Sequence, residues 1–327
     1  MKNWIFRSSV TALLLLALML MLLRSSLVID SVHAGLKLWY SAVLPSIFPF
    51  MIITSLLLTQ LQGSKLCLLG LVCGLPVGAN LVNQQVKNGT LPNTFANPAL
   101  CICNITSPMF LCGYVWNQTL HKQIPIAYLL FCIYFPMLAY GFFCYIRIYF
   151  FLQTAPHAKT HSHKTLTATS FSSGSSFDSI SLKNKSYAPN LTYSQTTHSA
   201  SDTGDSGFES ILLHCLRVIM LVGVYIMLFC ILFRFLLTLL PASSILSGIL
   251  ISSLEVTNGV HLLAGLPISL QQKTALIAAL CSFGGICSMF QTKSVLTESE
   301  LSLSHYIIIK IILGAASYLL GILIPLP

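Results

Sequence analysis

Long apolar stretches dominate this chain, and its polar residues gather between them instead of alternating with them. Val10–Leu23 is apolar and follows Lys2 and Arg7. Leu38–Leu61, Ile124–Leu152, Ile211–Leu240 and Tyr306–Ile324 are further apolar runs. About 20 apolar residues cross a bilayer as a helix, so these runs predict transmembrane segments. Tyr306–Ile324 reads as a clean final span. Pro45 and Pro49 inside Leu38–Leu61 predict a kinked helix within a bundle, where neighbouring groups re-satisfy the backbone that proline frees. Val10–Leu23 is also short enough to be a signal-peptide core with Ala34 at its cleavage site. A retained first helix is the favoured reading.

Four other segments are apolar but broken. Leu66–Val82 carries "GLPVG", with Gly74, Pro76 and Gly78. Ala96–Trp116 carries "CNITSPMF", with Pro108. Ser243–Ala264 is interrupted by "SSLEVTNG", and Ala275–Phe290 by Gly284 and Gly285. A straight spanning helix has no use for such residues at its centre, whereas a broken helix or a re-entrant hairpin does. In sequence alone, a hairpin and a full crossing look the same.

Composition changes abruptly in the middle. Gln153–Gly207 is rich in Ser, Thr, Asn and His and cannot bury a core, so it reads as a disordered linker. The three histidines of "HAKTHSHK" belong to that solvated linker better than to a metal site. The chain then divides into a first membrane half (1–152), a linker (153–207) and a second membrane half (208–327). The halves resemble each other. "GTLPN…ALCICNITSPMF" matches "AGLPIS…ALIAALCSFGGICSMF", and "PVGAN" upstream matches "EVTNG". Paired broken segments in corresponding positions of two halves point to a transporter binding site.

Overall composition agrees. Hydrophobic residues make up 55% of the chain and charged residues only 8%, against about 25% charged in a soluble domain. The lipid bilayer is therefore the first partner. The net charge of +9 comes from basic residues spread singly between apolar segments, which fits loop charges that orient a membrane protein and argues against nucleic acid. Arg147 and Arg217 flank the linker, and Lys159, Lys164, Lys183 and Lys185 lie within it, which places it in the cytoplasm. The eleven cysteines sit mostly within apolar stretches and show no paired CxxC spacing, so neither a disulfide framework nor a metal site is expected. No cofactor is expected, and nothing in the chain specifies an oligomer.

Glu255 is the sharpest candidate residue. It is the acidic residue that falls within an otherwise uncharged apolar segment, where an ionisable group is costly and is functional by default. Asn258, three residues on, would share its helix face. Asn80, Asn104, Ser107, Ser282, Ser288 and Gln291 are polar groups at the breaks that either ligate a solute or ion, or cap broken helix ends. Half-helix N-termini carry partial positive charge and suit a carboxylate. An anionic solute held by such dipoles would move together with a protonated Glu255. The chain has no GxxxxGK[ST], GxSxG or HExxH, which argues against a primary pump and against an enzyme.

Five motifs resemble a known family. "VLPSIFPFMI" (43–52), "CGLPVGANLV" (73–82), "CNITSPMF" (103–110), "LEVTNGVHLL" (254–263) and "CSFGGICSMFQ" (281–291) look like the sporulation integral membrane protein YlbJ (SpoVV) family, in that family's order. Cys73 stands where the family commonly has Ser, and the linker lies outside the resemblance. The family belongs to the nucleoside-transporter gate group, so the resemblance implies an all-α polytopic membrane protein with two gate-type repeats. It also implies a bacterial cell membrane and transport of dipicolinic acid across the outer forespore membrane. Two hairpins ending in helix N-termini would suit such a dianion. A non-transporting scaffold for the spore envelope and a nucleoside carrier are the alternatives.

Overall fold

The computed structural model describes residues 2–60, 69–154, 206–240, 244–296 and 301–326. Apart from its first two and last two residues, the linker expected at 153–207 lies outside the described residues. All regular secondary structure among the described residues is helical. Helix α1 (Lys2–Leu23) comes first. Helix α2 (Ser25–Leu38) passes through a π-helical turn, Trp39–Val43, into α3 (Leu44–Gln60), which holds Pro49 in its interior. This helix therefore begins well before the expected Leu38. Ala34 lies inside α2, next to Gly35, whose backbone packs against Met227 and Cys230.

The first broken segment is α4 (Leu69–Cys73) and α5 (Val77–Lys87). The second is α6 (Asn93–Cys103), then α7 (Pro108–Phe110) running on into a π-helical stretch, Leu111–Thr119. Helix α8 (Ile126–Thr154) closes the first half. Helix α9 (Ser206–Leu239) opens the second half. It is followed by α10 (Ile245–Ser252) with α11 (Val256–Ala264), then α12 (Leu270–Phe283) with α13 (Gly285–Val295), and finally α14 (Leu303–Leu323). Each half thus repeats one order: a long helix, a broken pair, a second broken pair, a long helix.

Long-range contacts separate the hairpins from the crossings. Gly70 meets Gly78 so closely that a Cβ on Gly70 would lie 2.7 Å from the Gly78 Cα. In a straight helix these residues are about 12 Å apart at 1.5 Å per residue, so the chain doubles back between α4 and α5. The same holds for α10 and α11, where a Cβ on Gly259 would lie 2.4 Å from the Ser252 carbonyl oxygen. By contrast, Asn93–Thr119 and Leu270–Val295 are each long and apolar enough to cross a membrane despite their breaks. With Ser25–Leu57, Ile126–Phe150, Gly207–Leu239 and Leu303–Leu323 they make six such segments among the described residues.

The two halves run in opposite senses. Tyr128, at the start of α8, donates to the carbonyls of Gly321 and Ile324 at the end of α14, both at 2.8 Å. Tyr140, further along α8, meets His305 at the start of α14. These two helices are antiparallel. Gly35 packs on Cys230, Trp39 donates to the Ile219 carbonyl and Ser55 meets Cys215, so the first long helix is antiparallel to α9. Crossing by crossing, the second half inverts the first.

The burial pattern is that of a membrane protein. The outward faces of α8, α9 and α14 carry exposed Phe142, Phe143, Leu228, Leu232, Ile308, Ile311 and Leu319. A water-facing surface does not tolerate apolar area on that scale. The small and polar residues turn inward instead, where helices approach closely. Leu303–Leu323 is long and apolar enough to cross, as Tyr306–Ile324 predicts, and it carries a fully buried base, Lys310.

Candidate functional site

The four breaks come together. Leu75, Thr106, Ser107, Glu255, Thr257, Gly284, Ser288 and Gln291 line one cavity of about 60 Å³, closed on one side by Val43 and Ile47 and by Val222 and Ile226 of α9. Each break arises from its local sequence. The Leu75–Pro76 peptide is cis and leads into α5. Ser107 caps α7, accepting from the Phe110 N–H at 3.2 Å, with Pro108 in the first helical position where its missing N–H costs nothing. Gly284 has φ +89°, a left-handed conformation that ends α12 and starts α13 without the strain a side chain would bring.

Glu255 caps α11 with its side chain. Its Oε1 accepts from the Thr257 N–H at 2.9 Å and from the Thr257 hydroxyl at 2.8 Å. Its Oε2 accepts from the Asn258 N–H at 2.8 Å and from Asn258 Nδ2 at 2.9 Å. The residue is 2% exposed. Glu255 and Asn258 are therefore adjacent, as the sequence predicts, but through capping and not as neighbours on a helix face. The carboxylate sits where the partial positive charge of α11 is largest.

The other helix starts are also occupied by protein acceptors. The Ile286 and Cys287 N–H groups at the start of α13 donate to the Ser253 and Leu254 carbonyls, each at 2.8 Å. The Ala79 N–H in the first turn of α5 donates to Asn104 Oδ1 at 3.3 Å. Thr106 donates to the Cys281 carbonyl at 2.6 Å and ties the two halves together. Backbone amides at these starts are thus largely committed. The polar residues lining the cavity are Thr106, Ser107, Glu255, Thr257, Ser288 and Gln291, and the hydroxyls of Thr106, Thr257 and Ser288 donate to the Cys281 carbonyl, Glu255 Oε1 and the Gly285 carbonyl.

The candidate residues divide accordingly. Glu255, Ser107, Ser288, Gln291 and Gly284 line the cavity, and Gly285 lies directly behind it against Val256. Asn258 turns away, bonding Cys230 Sγ at 2.9 Å and facing a second groove beside Arg234 and His261. Asn80 pairs with His214 Nε2 at 3.3 Å. Asn104 is fully buried and cross-links the halves, donating to Thr292 and to Tyr306, both at 2.8 Å. Ser282 bonds Ser317 at 2.6 Å, between α12 and α14. Gly74, Pro76, Gly78 and Pro108 sit at or beside the breaks that bring the cavity walls together.

Sequence reasoning missed Thr106, Thr257 and Leu75 among the lining residues, and it missed Lys310. Thr257 carried a readable signal, since a hydroxyl two residues after a capping acid reaches the same carboxylate. Lys310 Nζ has no hydrogen-bond partner among the described residues, lies 5.8 Å from the Tyr306 ring centroid and is fully buried, as are Cys101 and Tyr306. The rule that singled out Glu255, an ionisable group inside an apolar span, applies equally to this base. No cluster of metal-ligating side chains occurs among the described residues. Comparison of the chain with known protein families, with characterised proteins and with solved structures found no match.

Proposed function

We propose that this chain is a secondary carrier for a small anionic metabolite, with the solute bound where the four breaks meet. One observation carries this reading: two halves deliver four broken segments to one cavity, which holds Glu255, the buried carboxylate among the described residues. A scaffold has no need for helices interrupted at matching depths, because each break exposes backbone that must be re-satisfied in the membrane.

Magnitudes constrain the cycle. A cavity of about 150 Å³ admits benzene, so the roughly 60 Å³ found here is too small for a substituted ring. A ring-sized solute would therefore need this cavity to widen. A second constraint is charge. Two like charges about 5 Å apart repel by about 3 kcal/mol at an effective dielectric of about 20. A carboxylate solute beside Glu255 therefore favours entry together with a proton or another cation.

Dipicolinate is the solute that the five-motif resemblance implies. The test is a terbium-fluorescence measurement of dipicolinate in sporulating cells of the source organism lacking this protein. Mother cells are expected to make the acid while spores lack it. Spores with the normal content would reject that solute.

A further inference from the structure

A second concave site lies away from the breaks, on the lipid-facing side. It is a groove between the start of α6, the late part of α8 and the start of α14, with a volume of about 590 Å³. Its polar groups gather at one end of all three helices: Thr94 and Asn97 on α6, Arg147 on α8 and His305 on α14. Its remaining wall includes Phe143, Ile148 and Ile309. Among the described residues, Arg147 makes no hydrogen bond or ion pair and no acidic side chain lines the groove. His305 meets the Tyr140 hydroxyl at 3.3 Å, which holds the imidazole in the groove. Asn97 uses its carbonyl oxygen to accept the Ser302 N–H at 2.9 Å, and that bond leaves its amide nitrogen to donate.

We propose that this groove binds the headgroup phosphate of an anionic phospholipid. The argument is one of complementarity. A guanidinium, an imidazole and an amide line one end of this groove with no acid among the described residues to neutralise them, and guanidinium suits a phosphate bidentately. Directly alongside lies an apolar wall of the kind an acyl chain covers. Tyr145 and Tyr149, exposed on the same stretch of α8 and stacked at 6.4 Å, mark the interfacial level. An occupied groove clamps α6, α8 and α14 together, which joins elements of both halves.

The test uses the purified full chain in mixed micelles containing phosphatidylglycerol or phosphatidylcholine with the same acyl chains, read by thermal unfolding. Phosphatidylglycerol is expected to raise Tm above the phosphatidylcholine value. The double variant Arg147→Gln/His305→Gln is expected to lose most of that difference, while Lys122→Gln, at the opposite end of the bundle, keeps it. Native mass spectrometry of the unaltered protein gives an independent reading, with retained phosphatidylglycerol expected and retained phosphatidylcholine not. Equal shifts in the double variant and the parent protein would overturn the proposal. So would inorganic phosphate reproducing the shift, since that would assign the groove to a soluble anion.

Discussion

Gly78→Ala is expected to leave no folded protein. The Cβ it adds would lie 1.9 Å from the Cys103 carbonyl oxygen and 2.5 Å from the carbonyl carbon. Both atoms are backbone at the end of α6, so no rotamer change relieves the overlap. Moving α5 away would open the contact between the first hairpin and the second break and pull the Ala79 N–H from Asn104. Overpacking a tight core costs about 1–3 kcal/mol where side chains can yield. Here they cannot, and a loss above about 4 kcal/mol is expected. That is a large share of the roughly 5–15 kcal/mol that holds a typical protein folded. Gly113→Ala is the control, because a Cβ there meets nothing within 4 Å. Size-exclusion profiles of detergent-solubilised protein check both. A monodisperse Gly78→Ala peak at the parent yield would mean that the first hairpin does not pack as described.

Glu255→Gln carries the second large effect, and it acts on function and stability together. The carboxylate accepts four hydrogen bonds, two on each oxygen. An amide offers one accepting oxygen, and its nitrogen would face donors. Hydrogen bonds to a charged group contribute about 1.5–3 kcal/mol each, and α11 is expected to lose about 2–4 kcal/mol of support. Lost transport in this variant alone would be ambiguous. Glu255→Asp resolves it, because aspartate is itself a preferred N-cap and keeps the charge while withdrawing it from the cavity by one methylene. Parent-like Tm with transport reduced at least about tenfold, roughly 1.4 kcal/mol, is the expected result. Parent-like Tm with parent-like transport would reduce Glu255 to a helix cap.

These two residues also show what the sequence could and could not disclose. The membrane character and the breaks were legible, because glycine and proline inside apolar runs have few other uses. Whether a break turns the chain back or lets it cross was not. That depends on Gly70 meeting Gly78 and on Ser252 meeting Gly259, contacts made in space with no signature of their own. Glu255 stood out as a lone acid, yet its role as a cap did not, since glutamate is seldom the residue that begins a helix. Asn80, Asn104 and Asn258 are chemically alike and lie near breaks, and only the fold sends them to three different partners. Lys310 was hidden by the same apolar run that made its helix easy to find.

The most direct test is uptake of dipicolinate by the purified protein in liposomes loaded with terbium, read as luminescence. Influx above that of protein-free vesicles, faster when the outside is more acidic than the inside, is the result this mechanism predicts. Folded, correctly incorporated protein that admits no dipicolinate under either gradient would contradict it.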